Sequence, residues 1–196
     1  MNKLMGFYEL KDMALPSVPW EEYTGKEKFS SDKLWTIRSA VYRGGDLNLP
    51  RLVGAKAEEA EKFARELLKQ LENRGMVVYY PYFLANKSGN LVVFNDKIVI
   101  EAVEKDLWNL VTLSDREVTI QIEDTKTRYN GNRDFLSEME INKLLAAIPA
   151  VKQKFRDDII EGKGIMFEWS FAQEADLYGQ PQGSEYLVFY EARTIS

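Results

Sequence analysis

Two acidic residues and one arginine stand inside apolar runs near the end of the chain. Glu168 lies in the run FEW, and Glu191 and Arg193 lie in YEAR. A carboxylate among apolar residues needs a metal ion, a cation or a hydrogen-bond donor as its partner. On two adjacent strands, these groups would suit magnesium on the carboxylates and a phosphate on the arginine. Spacing alone, however, favours the simpler alternative of a cross-strand ion pair on a solvated face.

The chain contains neither cysteine nor histidine. This composition excludes disulfides, zinc–thiolate sites, imidazole metal sites, a Ser-His-Asp triad and a phosphohistidine on this chain. Catalysis would have to rest on carboxylates, lysine, arginine, hydroxyls and oxygen-bound cations such as Mg2+. The net charge of −5 counts against nonspecific nucleic-acid binding, although a local basic patch remains open.

A length of 196 residues suits one domain over 1–196, or two small lobes over about 1–75 and 76–196. No run reaches the roughly 20 apolar residues that cross a bilayer. The first residues also lack the apolar core of a secretory signal. We therefore expect a soluble, cytoplasmic protein without a membrane partner.

The elements that must position these residues follow from periodicity. Apolar residues recur at helical spacing over 55–73, and a capping-box pattern at Ser137 begins a second helix, which Pro149 kinks or divides. We expect strands at 33–42, 76–84, 90–95, 97–103 and 116–124 and a closing hairpin, with a turn at 86–90 and loops at 43–51 and 125–134; 106–113 is ambiguous. The pattern predicts an α+β domain with helices packed on a mostly antiparallel sheet.

The closing segments MFEWSF and YEARTI resemble a known pair of strands. They are similar to the D-x-E-W-A and Q-A-R-P strands of the nucleotide-binding domain of phosphoenolpyruvate synthase, pyruvate phosphate dikinase and rifampicin phosphotransferase. The resemblance implies a compact ATP-grasp-like fold that binds ATP and Mg2+. It implies that Glu168 and Glu191 hold the metal ion and that Arg193 contacts phosphate.

Other segments match the same family in order along the chain. LWTIRSAVY resembles the strand ending in R-S-S-A, which assigns phosphate binding and catalysis to Arg38. The N-terminal segment places the family's phosphate-binding lysine on Lys3. The family's adenine hinge falls on Tyr80, and its I-E-A strand on Glu101.

The sequence departs from this family in several places. The glycine-rich phosphate loop has no clear match, although Gly44, Gly45 and Asp46 could be a shorter remnant. The family's domain is longer, and its swivelling phosphohistidine domain has no counterpart here. We therefore expect an ATP- and Mg2+-dependent phosphotransferase-like domain whose acceptor is a small molecule or a separate protein. The alternative is a degenerate, non-catalytic module that binds a nucleotide or a protein. Nucleic-acid association, suggested only by the aromatic strand at 79–83 and Lys87, is the weakest of the three.

Overall fold

The computed structural model describes residues 1–43, 49–107, 116–124 and 126–195, which form two antiparallel sheets and five helices. The remnant expected at Gly44, Gly45 and Asp46 and most of the ambiguous segment 106–113 lie outside the described residues. The elements are, in chain order, α1 Lys3–Asp12, β1 Glu21–Tyr23, β2 Trp35–Val41, β3 Arg51–Ala55, α2 Ala57–Leu71, β4 Gly75–Pro81, β5 Phe83–Val93, β6 Lys97–Glu104, β7 Val118–Glu123, β8 Lys126–Gly131, α3 Glu138–Leu145, α4 Ile148–Lys154, α5 Arg156–Ile160, β9 Gly164–Ala175 and β10 Pro181–Ile195.

The smaller sheet has the strand order β1-β4-β2-β3 and carries α2 on one face. The apolar stripe of α2 packs against alternate residues of β2 and β4, including Ile37 and Val77. Alternation therefore turns the neighbouring Arg38 to the opposite face. The helix ends with Glu72 and Asn73 in left-handed conformations.

The larger sheet has the strand order β10-β9-β5-β6-β7-β8. One face carries the largest buried side chains, Phe167, Trp169, Phe171 and Phe189, and is covered by α3, α4 and α5. The capping box at Ser137 begins α3 as predicted, and a proline at the start of α4 divides the predicted long helix. The opposite face, toward the smaller sheet, carries both apolar and charged residues, among them Val188 and Glu191.

Two expectations about loops were wrong. The predicted turn at 86–90 is the middle of β5, where Gly89 is required because a Cβ there would come within 1.8 Å of the Glu101 carbonyl oxygen. The predicted polar loop at 125–134 contains the exposed edge strand β8. The loop predicted at 43–51 overlaps a strand only at Arg51, where β3 begins, and β3 itself was not predicted. In each case strand pairing prevailed over local turn chemistry.

The two sheets meet at Tyr82, the residue between β4 and β5. The lobe boundary predicted near residue 75 stays a prediction. The strand β4, which begins at Gly75, belongs to the smaller sheet. A shared apolar cluster joins the inner faces of both sheets to α1. No helix within the described ranges is long and apolar enough to cross a membrane.

Helix α1 lies unusually close to β10 because of one glycine. A Cβ on Gly6 would stand 1.9 Å from the Ala192 carbonyl oxygen, closer than any real contact. The same helix carries Lys3 in its first turn, and its N-cap Asn2 accepts a hydrogen bond from the Met5 amide. The missing side chain thus sets the distance between Lys3 and the end of β10.

We expect Gly6→Ala to destabilise the protein by about 1–3 kcal/mol through forced separation of α1 from β10. Alanine by itself favours a helix by about 1 kcal/mol over glycine, so a loss would identify the packing contact as its cause. Urea unfolding measures the change, and Met5→Ala on the exposed side of α1 is the control. Equal or greater stability of Gly6→Ala would contradict the close packing.

Candidate functional site

A cavity of about 600 Å3 lies between the two sheets. Its walls come from α1, β2, β3, β4, the start of β5, the residues that follow β6, and β9 and β10. The residues that line it are Lys3, Thr36, Arg38, Leu49, Arg51, Val53, Tyr80, Tyr82, Phe83, Leu84, Ala85, Lys105, Asp106, Leu107, Glu168, Ser170, Tyr190, Glu191 and Arg193. Both charged and apolar side chains therefore line the cavity.

Glu191 is the centre of a buried charge cluster at one end of the cavity. Its side chain is 1% exposed, and its Oε2 accepts from Arg38 Nη2 at 2.6 Å and pairs with Lys3 Nζ at 3.3 Å. Its Oε1 accepts a short hydrogen bond from Arg193 Nη2, which also lies 3.4 Å from Glu168 Oε1. The structure therefore brings five of the predicted site residues into one ion-pair network.

Strand register places these groups together. Glu191 pairs directly with Glu168 on β9, and a bulge between Phe189 and Glu191 turns Tyr190 toward the cavity as well. Bulges commonly re-aim side chains in this way. Tyr190 and Phe7 of α1 each lie 5.9 Å from the Arg38 guanidinium, so that cation is held between two rings.

The charges shift the pKa values of both carboxyl groups. Burial would raise the pKa of Glu191, but Arg38, Lys3 and Arg193 outweigh burial and lower it to about 2. Burial and the repulsion of Glu191 raise the pKa of Glu168 to about 7. Burial and the neighbouring Arg38 lower the pKa of Lys3. Glu191 is therefore ionised at neutral pH, whereas Glu168 is protonated more readily than an ordinary glutamate.

Two guanidinium groups keep unsatisfied donors in this cluster. The Nε–H groups of Arg38 and Arg193 are buried and have no hydrogen-bond partner within the described part of the chain. Buried donors of this kind are rare because each costs about 1–3 kcal/mol. Both belong to cations that line the cavity, so an anionic oxygen is the ligand that would satisfy them.

The two carboxylates fit one shared cation. An oxygen of Glu168 and an oxygen of Glu191 both converge on a single nitrogen of Arg193. No group of three acidic residues that could hold a metal ion occurs among the described residues. The protein would therefore supply at most these two carboxylates to Mg2+, and phosphate oxygens or water would complete its coordination.

The other two predicted site residues lie in different places. Tyr80 is buried in the cavity wall, where burial raises its pKa and Arg38 opposes the rise. Glu101 stands in the same row of the sheet as Glu168, but Asn90 on β5 separates them. Glu101 pairs with Arg116 at 2.8 Å and does not line the cavity. The structure groups Tyr80 with the cluster and leaves Glu101 outside it.

Sequence reasoning missed several residues of the cavity wall. Arg51 lies directly opposite Arg38 in the β2–β3 register, which places a second guanidinium on the same face. Arg51 was missed because RLVGA was not recognised as a strand. Ser170 and Thr36 each stand two residues from a predicted site residue, so strand alternation could have found them.

Comparison with solved structures identifies the fold. The structure is similar to D-alanyl-alanine synthetase A from Vibrio cholerae O1 biovar eltor, with a TM-score of 0.52 and 10% identity. That likeness covers 97% of this chain and 54% of the other, so the chain spans about half the length of that enzyme. No protein-family model matches the sequence. A search of curated proteins also gave no match.

Two further likenesses are too weak to carry an argument. Macrocyclase MdnC bound with precursor peptide MdnA, from Microcystis aeruginosa MRC, has a TM-score of 0.44 and 8% identity over 97% of this chain and 51% of its own. N5-carboxyaminoimidazole synthetase from Staphylococcus aureus has a TM-score of 0.40 and 13% identity over 99% of this chain and 43% of its own.

The α+β, ATP-grasp-like fold expected from the sequence is confirmed. The narrower resemblance to the phosphoenolpyruvate synthase family is not distinguished by these structures and stays a prediction.

The raised pKa of Glu168 predicts a pH-dependent stability. Between about pH 4.3, where an unfolded glutamate loses its proton, and about pH 7, the folded state keeps that proton. The free energy of unfolding should therefore decrease as pH rises through this window. Glu168→Gln should flatten that slope, whereas Glu174→Gln on the exposed part of β9 should leave it unchanged. Urea titrations at pH 5, 6, 7 and 8 measure it, and equal slopes in wild type and Glu168→Gln would refute the assignment.

Removing the charge of Glu191 should destabilise the protein more than removing the charge of Glu168. Glu191→Gln leaves three largely buried cations with only Glu168 as counter-charge, so we expect destabilisation by about 3–5 kcal/mol at pH 7. Because the pKa of Glu191 is lowered to about 2, its contribution is present above about pH 4.3 and disappears as pH falls toward 2. Thermal unfolding compares this variant with Glu168→Gln. A smaller loss in Glu191→Gln would remove Glu191 from the centre of the cluster.

Proposed function

We propose that this chain is a nucleotide-binding domain that holds ATP in the central cavity and transfers its terminal phosphoryl group to an acceptor. The observation that carries the proposal is the cluster of three largely buried cations at one end of a cavity of about 600 Å3. Two of those cations have buried donors without a partner in the described chain. Such donors suit a ligand with several anionic oxygens.

The phosphates would lie against Lys3, Arg38 and Arg193. Arginine offers a planar set of donors that matches phosphate oxygens, and lysine offers a compact charge. Arg51, opposite Arg38, supplies a further guanidinium on the side of the smaller sheet. This arrangement would replace with side chains part of what a glycine-rich loop supplies with backbone amides.

The base would lie at the junction of the two sheets. Aromatic and aliphatic side chains line that end of the cavity, namely Tyr80, Tyr82, Phe83, Leu84 and Leu107. The rings of Tyr80 and Phe83 are stacked with centroids 6.3 Å apart. Tyr80, the residue expected at the adenine hinge, would contact the base from the cavity wall.

Magnesium would be held by Glu168 and Glu191 together with oxygens of the nucleotide. When bound, it neutralises the charge of the phosphates. The protein's own contribution is positioning. Arg38 is fixed by Glu191 and two aromatic rings, so it needs no reorganisation as charge develops on the transferred group.

The acceptor would be a small molecule or a separate protein. The chain has no histidine, so any phosphohistidine would have to be supplied by a partner. The alternative function is a non-catalytic module that binds a nucleotide or a protein. The observation that favours it is that Glu191 is already fully engaged by cations of the chain itself.

Calorimetric titration tests the nucleotide proposal. In the presence of Mg2+ we expect ATP to bind more tightly than AMP, because AMP lacks the phosphates that face the cluster. Arg38→Lys keeps the charge beside Glu191 but loses the planar set of donors, and it should weaken ATP binding about tenfold or more, which is about 1.4 kcal/mol. Arg128→Lys on the exposed strand β8 is the matched control.

Two outcomes would contradict the proposal in different ways. If ATP, ADP and AMP give no binding heat, the cavity is not a nucleotide site. If ATP binds but labelled γ-phosphate reaches none of a panel of small molecules and candidate proteins, the non-catalytic alternative replaces phosphoryl transfer.

A further inference from the structure

The place between the two carboxylates is already filled by Arg193. Its Nη2 donates to one oxygen of Glu191 and lies 3.4 Å from Glu168 Oε1. The second oxygen of Glu191 is held by Lys3 and Arg38. A metal ion shared by both carboxylates would have to take the position of this nitrogen.

Arg193 is the cation of the cluster that is most able to move. Its side chain is 23% exposed, compared with 11% for Lys3 and 8% for Arg38. Arg38 is also held between the rings of Phe7 and Tyr190. The Nε–H of Arg193 has no partner in the described chain, so an anionic oxygen in the cavity would satisfy a donor that its present position leaves free.

The charges of the cluster make a metal ion alone unfavourable. Lys3, Arg38 and Arg193 face Glu168 and Glu191, which gives an excess of one positive charge when all five are ionised. A divalent cation alone would raise that excess to three in a site largely removed from water, which is costly. A triphosphate that arrives with the metal ion offsets this excess.

We infer that Arg193 is a positioning residue that holds the two carboxylates in the empty site and exchanges them for phosphate when a divalent cation and ATP bind together. This inference rests on the proposed nucleotide site. It predicts positive coupling: the metal ion strengthens ATP binding, and ATP strengthens metal binding by the same factor. It also predicts that removing the guanidinium opens the carboxylates to the metal ion.

Metal binding without nucleotide tests the first half of this exchange. Titration with Mn2+, followed by the electron paramagnetic resonance signal of the free ion, should show weak binding to the wild type. Arg193→Gln should bind Mn2+ at least about tenfold more tightly, and Arg193→Lys, which keeps the charge, should stay near the wild type. Lys105→Gln removes a charge from the same cavity wall and leaves the described ion pairs of both carboxylates intact, so it should also stay near the wild type.

Calorimetry of ATP binding in excess EDTA or excess Mg2+ tests the second half. The wild type should gain at least about tenfold in affinity with Mg2+, and Arg193→Gln should lose most of that gain. Circular dichroism establishes that each variant is folded. If Arg193→Gln does not fold, the wild-type measurements still decide, because tight Mn2+ binding without nucleotide would overturn the inference.

The remaining outcomes are distinguishable from failure of the proposed function. Equal gains in Mn2+ affinity for Arg193→Gln and Lys105→Gln would indicate a general charge effect and overturn the exchange. Equal Mn2+ affinity of all variants would overturn it as well. Absence of ATP binding under every condition would instead remove the nucleotide site, whatever the Mn2+ arm shows.

Discussion

The structure of the central cavity depends on one buried carboxylate, that of Glu191. Its two oxygens engage cations from three elements that are far apart in sequence: α1 through Lys3, β2 through Arg38, and β10 itself through Arg193. Buried charges are tolerated only when they are paired, and Glu191 pairs with all three of these cations. Ion pairs with Glu191, as well as apolar packing, therefore hold the two sheets and α1 together.

Features of the backbone bring these charges together. The close contact of Gly6 with Ala192 sets the depth of the Lys3 helix against β10, and the bulge before Glu191 turns that residue and Tyr190 toward the cavity. The faces of the smaller sheet are divided between α2 and the cavity, which fixes the direction of Arg38. Backbone packing therefore sets the positions of the charged residues in the site.

The sequence predicted elements better than it predicted contacts. Helical periodicity found α2, and the capping box found the start of α3, because each signal is local. The β3 strand and the role of Gly89 were missed, because they depend on strands distant in the chain. Lys3 and Arg38 entered the candidate site only through family resemblance. No local sequence pattern indicates that either residue contacts Glu191.

The cluster is also a compromise between stability and binding. The chain has a net charge of −5, yet its cavity wall gathers Lys3, Arg38, Arg51 and Arg193, and the register sets two of these arginines directly opposite each other. Like charges in that relation are destabilising, and the free Nε–H groups add to the cost. A fold selected for stability alone would gain by replacing these residues with apolar ones. The nucleoside triphosphate proposed as ligand would offset these positive charges with its own negative charge.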